Sequence, residues 1–236
     1  MRTSLLLAIS IFISACGNEA GLMVRYKGAL RDFMHNGDIS AKISLADLKN
    51  EPNLYALGAV ENLKGEILIL KSKPVISFVE NGQLKFDNSF KKNAALLVFA
   101  RVEKWQKIAI PKKIRTYSEL EEFILGSARG NNIDTEEPFP FMLNGKVESV
   151  EWHVMDWKEG DTEHTPEKHK NSGLRGTLTD ENVQILGFYS NKHRAIFTHH
   201  STNMHLHLLS ENEDVAGHLD EVVLSDSTIL LLPDLE

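Results

Sequence analysis

The sequence predicts a β-rich α+β or mixed α/β protein, and three observations carry that expectation. Short apolar or β-branched runs recur along most of the chain, separated by Gly, Asn and Lys turns. Only one segment shows a well-marked helical period. An Asn-Gly pair, Asn81-Gly82, lies between two of the apolar runs, and Asn-Gly readily adopts the left-handed backbone of a tight hairpin turn.

Taken in order, Ser44 to Lys49 reads as a short helix, and Leu54 to Val60, Glu66 to Leu70, Val75 to Phe78 and Ala94 to Val102 read as strands. The good helix is Thr116 to Leu125. Thr116 and Glu119 have the spacing of a capping box, Tyr117, Leu120, Phe123 and Ile124 share a face, and Gly126 supplies a stop. After Pro138-Phe139-Pro140-Phe141 and Asn144-Gly145 comes a strand near Val147 to Val154. Lys158 to Gly173 holds almost no apolar residue and reads as a solvated excursion. Strands are expected again at Val183 to Ser190, Ala195 to His199, in a histidine-bearing hairpin, and at Ser227 to Leu232.

The N-terminus has a different character. One cationic residue, Arg2, precedes an apolar stretch from Leu5 to Ile13 that is too short for a stable membrane span, and small residues follow. Residues 1–15 are expected to be a signal peptide. Ile13-Ser14-Ala15-Cys16 resembles a bacterial lipoprotein processing box, so Cys16 is the expected lipidated first residue of an exported, membrane-anchored protein, with 16–36 as its tether and 37–236 as the folded domain. A plain signal peptide or an N-terminal anchor helix is the alternative. Gly17 at the next position points to an outer-membrane destination in a cell with two membranes. Cys16 is the only cysteine, so no internal disulfide is expected. Removal of residues 1–15 leaves 221, enough for one large domain or two small ones. The net charge of −7 comes without a basic cluster, which excludes a nucleic-acid binder as the natural reading.

The chemistry is concentrated in Met204-His205-Leu206-His207-Leu208 and Gly217-His218-Leu219-Asp220. On a strand, His205 and His207 leave one face while the leucines leave the other. Ser210 to Val215 is polar and acidic and reads as a hairpin loop. A hairpin centred there sets His207 opposite His218, with Cβ atoms about 5 Å apart. Three imidazoles then converge as in a catalytic metal site, for which zinc is the preferred ion. The competing reading is a solvent-facing polar edge on a half-buried strand. His199 and His200 lie upstream, where a histidine pair in a loop is more often simply exposed.

These residues resemble a known family. The segment from Asn203 to Ser210, running on to Ala216-Gly217-His218-Leu219-Asp220, is similar to the zinc-binding core of the α-acetolactate decarboxylases, with the same spacing from second to third histidine. Leu57-Gly58-Ala59-Val60-Glu61-Asn62-Leu63-Lys64-Gly65-Glu66 and the apolar run after it resemble a second family motif, whose glutamate sits in the active site; Glu66 occupies that position. The likeness extends from about Asp38 to Glu221, with an insertion before the histidines.

The resemblance implies two sheet-containing lobes with a metal site between them, His205, His207 and His218 as ligands of zinc, Glu66 as the catalytic acid, and a small keto or hydroxy acid as substrate. It implies conversion of 2-acetolactate, or a similar 2-hydroxy-3-oxo acid, to acetoin and carbon dioxide. Taken without the resemblance, Glu66 reads as a surface residue after a Lys-Gly turn. The chain also departs from the pattern. Where the family has an arginine ahead of its proline-rich run, residues 133–140 hold an acid, and Arg129 is near but not aligned. Ala59 replaces a threonine, and the family's C-terminal glutamate has no counterpart in the 18 residues after His218. A lipid-anchored metal-binding or ligand-binding protein without turnover is the reading from a different class. Oligomeric state is not legible.

Overall fold

The computed structural model describes residues 22–235, in which two antiparallel sheets face each other. The first contains β1 (Val24–Lys27), β2 (Ile43–Ser44), β3 (Leu54–Val60), β4 (Glu66–Leu70), β5 (Lys73–Glu80), β6 (Gln83–Asp87) and β7 (Asn93–Arg101), with helix α1 (Leu30–Asn36) between β1 and β2. Its order is β1-β7-β3-β4-β5-β6, and β2 pairs with β7 off that path. The second contains β8 (Trp105–Ala109), β9 (Phe139–Val154), β10 (Leu174–Tyr189), β11 (Met204–Ser210), β12 (Ala216–Leu224) and β13 (Ile229–Pro233), with α2 (Tyr117–Gly130) and α3 (Pro166–Lys170) between strands.

Strands β9 and β10 form one long hairpin, from Val154 opposite Leu174 to Phe139 opposite Tyr189. The far half of β10 also pairs with β11, and the near half of β9 with β12, so β9 to β12 close on themselves and leave β13 and β8 to extend the sheet from β9. Closure satisfies backbone groups that a free sheet edge would expose.

The core has three layers. Side chains between the sheets include Leu57, Leu68, Val98, Met142, Leu186 and Phe188. The opposite face of the second sheet packs Ile185, Leu206, Leu208 and Val150 against Leu120, Ile124 and Ala128 of α2. The opposite face of the first sheet buries Ile67, Ile69 and Leu97 beneath a 3₁₀ turn at Leu45–Leu48. Because both faces of β3 and β4 are covered, these strands read as nearly unbroken apolar runs, and strand alternation alone decides which layer each residue enters.

Several expectations hold. Leu54–Val60 and Glu66–Leu70 are strands, and Asn81 and Gly82 turn with φ of 53° and 71° between β5 and β6. Thr116 and Glu119 form the capping box. Other features differ. Helix α2 runs past Gly126 to Gly130: an interior glycine costs a helix about 1 kcal/mol, and burial of Ala128 beyond it outweighs that cost. Residues 195–199 form turns around the fully buried Phe197, with Ala195 at φ 58°, and contribute only an isolated bridge. The excursion at 158–173 contains α3, capped by Thr165. Strand β8 is an edge strand whose Gln106 and Lys107 hid it from the apolar pattern.

The folded body begins earlier than residue 37. Strand β1 pairs with β7 from Val24 to Lys27, and α1 buries Phe33, so most of the stretch expected to be tether belongs to the first sheet and its cover. The expected signal peptide and Cys16 lie outside the described residues. No helix among the described residues is long and apolar enough to cross a membrane.

Candidate metal centre

The β11–β12 hairpin has the register expected of it, with His207 directly opposite His218. Its turn is held by Ser210, whose hydroxyl donates to Asp214 Oδ1 at 2.7 Å and accepts from the Val215 amide at 2.9 Å. With Leu206 and Leu208 packed toward α2, His205 and His207 enter the layer between the sheets. His205 Nε2 lies 3.2 Å from His207 Nε2 and 3.2 Å from His218 Nδ1. Gly217 lets β12 approach β9 closely enough to bring His218 in, since a Cβ there would stand 2.5 Å from the His153 carbonyl oxygen.

Glu66 reaches the same point from the first sheet. Gly65, at φ 138°, leads into it where a Cβ would collide with the Ser77 carbonyl. The Glu66 side chain shares the inward face of β4 with Leu68, Oε1 accepts from the Met155 amide at 3.3 Å, and Oε2 lies 3.6 Å from His207 Nε2. The three histidines and Glu66 therefore meet between the sheets.

Burial controls the protonation of all four groups. It depresses the His205 imidazole to about 4 and holds His207 and His218 well below the usual histidine range, aided by the neighbouring imidazoles. Burial likewise pushes the Glu66 carboxyl well above the ordinary carboxylate range; the Met155 amide opposes this and the nearby Asp220 charge adds to it. With His207 held well below the usual histidine range, its ring is neutral beside Glu66 and the two do not form an ion pair.

The donor set fits a divalent transition metal. Three neutral imidazoles present nitrogen lone pairs to one point, with their ligand atoms all within 4.8 Å of one another. His205 Nε2 faces two other ring nitrogens, and a shared cation satisfies the three better than protons can. Nδ1 of His205 and of His207 is buried without a hydrogen bond of ordinary geometry. The carbonyls of Phe197 and Ile67 favour the protonated rings there, but less than burial disfavours them.

A second layer of polar residues escaped the sequence reading. His153 on β9 lies opposite His218, with ring centroids 4.8 Å apart, and its Nδ1 donates to both Asp220 oxygens at 3.0 and 3.1 Å. A register shift between Leu219 and Glu221 lets Asp220 as well as Glu221 turn toward this face. Lys170 of α3 then ties Asp220 down at 3.3 Å. His199, set aside as a loop residue, lies near enough for its charge to disfavour protonation of His205 and His218. Asp220 alone carried a hint, because it closes the Gly-His-Leu-Asp segment; His153 comes from a strand 65 residues before its partner His218.

Of the departures, Ala59 lies opposite Glu66 and brings no hydroxyl to it. In the acidic stretch 133–140, Glu136 forms an ion pair with Lys192 at 3.3 Å, and the Arg129 Nε donates to Thr135 at 3.4 Å.

Comparison with known proteins agrees with this fold. The X-ray structure of alpha-acetolactate decarboxylase from Bacillus subtilis strain 168 is similar with a TM-score of 0.68 at 14% identity, covering 89% of this chain and 85% of that one. A Staphylococcus aureus protein of unknown function, described as similar to alpha-acetolactate decarboxylase, gives 0.68 at 12% identity over 89% and 85%. Acetolactate decarboxylase from Bacillus subtilis subspecies spizizenii gives 0.67 at 15% identity over 89% and 86%. No curated protein sequence matches the chain. At such identities the structures speak for the fold, whereas the sequence model of the family, alpha-acetolactate decarboxylase, matches residues 26–232. With nearly all of the described chain inside that match, the protein belongs to the alpha-acetolactate decarboxylase family of carboxy-lyases.

Proposed function

We propose that the protein converts 2-acetolactate, or a close 2-hydroxy-3-oxo acid, to acetoin and carbon dioxide, using zinc held by His205, His207 and His218. The observation that carries this reading is the convergence of three neutral imidazoles from one sheet with a buried carboxyl from the other. Zinc at that point would supply a Lewis acid to the oxygens on which negative charge grows as carbon dioxide leaves. The chain itself supplies the proton. Burial favours the protonated form of Glu66, the Met155 amide fixes Oε1, and Oε2 faces the histidines. From there Glu66 delivers its proton to the carbon that has lost carboxylate, and the closed, mostly apolar layer around it limits competing protonation by water.

Elemental analysis and an acetoin assay on racemic acetolactate test the proposal together. About one zinc per chain is expected, with acetoin formation that a chelator abolishes and zinc restores. The acidic residue within 133–140, where the family has an arginine, favours a second reading: a metal- or ligand-binding protein without turnover. Full metal content with no acetoin above the spontaneous rate would select it.

We also propose export and lipidation at Cys16, supported by the short apolar leader and the small residues before the only cysteine. Mass spectrometry is expected to find cleavage before Cys16 and a diacylglyceryl group, and the protein should fractionate with membranes. Cys16→Ser should release it or leave it unprocessed; native protein with Met1 intact in the cytoplasm would rule the proposal out.

A further inference from the structure

Among the described residues, three large apolar side chains stand exposed: Met23 at 68%, Leu235 at 52% and Tyr26 at 40%. Tyr26 is partly covered by the rings of His193 and Phe197, which leaves Met23 and Leu235 as the open apolar surface. The strand register sets these two at one end of the molecule. Val24 lies opposite Ala100, so Met23 comes next to Arg101; Pro233 lies opposite Trp105 and the Asp234 amide donates to the Lys104 carbonyl, so Leu235 comes next to Glu103. Leu54 also pairs with Arg101 and its carbonyl accepts from the Ser72 amide, which brings the β4–β5 turn, with Lys71 and Lys73, to the same end.

This end is also cationic, in a chain whose net charge is −7. Arg25, Lys71, Lys73, Arg101 and Lys104 are all exposed there, against the acids Glu51, Glu103 and Asp234. Glu51 is shared by Arg25 at 4.0 Å and Arg101 at 3.8 Å, while Lys71, Lys73 and Lys104 enter no ion pair among the described residues. Apolar side chains ringed by unpaired lysines suit a surface with anionic headgroups over hydrocarbon. Covalent reach points the same way. Six residue steps separate Cys16 from Leu22, the first described residue, and they span about 20 Å at full extension. Strand β5 alone, running away from this end, has eight residues and a length of about 26 Å. An anchor at Cys16 therefore cannot bring the opposite end of the body down to a bilayer.

We infer that this end is a membrane-docking surface, at which Met23 and Leu235 enter the headgroup region of an anionic bilayer and Lys71, Lys73 and Lys104 pair with its phosphates. The inference rests on lipidation at Cys16 and adds what lipidation alone does not give, a fixed orientation. An acyl anchor by itself leaves the body free to turn about its attachment. Docking holds the other end outward. Leu70 closes β4 at the docked end and Glu66 opens it at the other, so the metal centre stands back from that end by about 13 Å. Surface charge is screened within about 8 Å at physiological ionic strength, so an anionic substrate reaches the centre from water without repulsion by the headgroups.

The test uses the full chain, exported and processed, then reconstituted into vesicles of phosphatidylcholine with about 30% phosphatidylglycerol. Cys16 is the only cysteine and acylation occupies its thiol, so Met23→Cys, Leu235→Cys and Gln83→Cys each take a single fluorescent label. Gln83 is the control, exposed opposite Glu80 at the far end of β5 from Lys73. With nitroxide-bearing lipid, quenching at positions 23 and 235 is expected to exceed that at 83 by about threefold or more. Combining Lys71→Glu, Lys73→Glu and Lys104→Glu should remove most of that difference while the acyl chains keep the protein on the vesicles, and phosphatidylcholine alone should weaken it. Lipidated protein whose three labels are quenched alike overturns the docking surface and leaves the lipidation reading standing. A Cys16 thiol that remains free to react brings down the lipidation reading, and the docking surface with it. Labels at 23 and 235 already shielded in detergent, together with a dimeric mass, would assign the patch to a second copy of the chain and overturn the lipid assignment.

Discussion

Replacement of His207 or His218 by alanine is expected to lower bound metal from about one equivalent to about a tenth or less, and acetoin formation with it, because two remaining imidazoles no longer enclose the ion. His207 is fully buried and lies 3.2 Å from His205, while His218 completes the set from the neighbouring strand. His199→Ala is the informative contrast, since that residue is exposed and its Nδ1 is occupied by the Ser201 hydroxyl at 2.8 Å. It should retain metal. Mass spectrometry under native conditions distinguishes these outcomes, and full metal in both hairpin variants would show that the ion is held elsewhere.

The second large effect should separate chemistry from metal binding. Glu66→Gln keeps the shape of the side chain and removes its transferable proton, so metal content should stay near one equivalent while acetoin formation falls by about 10²-fold or more, the usual size of a general-acid contribution. A variant as active as wild type would move the acid to another residue. The same substitution has a stability consequence in the metal-free protein. Burial raises the Glu66 carboxyl in the folded state, so above the ordinary carboxylate range the unfolded chain gives up a proton that the folded one retains. Stability contributed by this group is therefore full at low pH and declines as pH rises toward the folded-state value. Glu66→Gln should flatten that decline in denaturant titrations across the acid-to-neutral range, and an unchanged slope would contradict the buried neutral carboxyl.

What the sequence made legible was local. The histidine hairpin could be read because both strands and their polar turn lie within one short segment, and pairing across so short a loop follows from symmetry about its centre. Glu66 was reached through a motif; its depth was not legible, because the layer covering it comes from Met155 and the second sheet. His153 was hidden for the same reason. Its strand was expected, but the pairing of β9 with β12 and the bulge that turns Asp220 toward it are long-range facts. Strand β1 and helix α1 were mistaken for tether because β7, far along the chain, supplies the hydrogen bonds that order β1. The passage of α2 through Gly126 likewise depends on what Ala128 touches.

The Ser210–Val215 turn acts as a parity gauge for the whole centre. Side chains alternate across a strand with a period of two, so sliding β12 by a single residue against β11 would send His218 toward α2 and bring Gly217 or Leu219 inward in its place. A loop one residue longer or shorter, if taken up as slippage, costs the protein its third imidazole, whereas a change of two leaves a histidine-bearing face on the correct side though displaced along it. Among natural variants of this chain, the turn should accordingly resist single-residue insertions more strongly than its exposed and polar composition suggests.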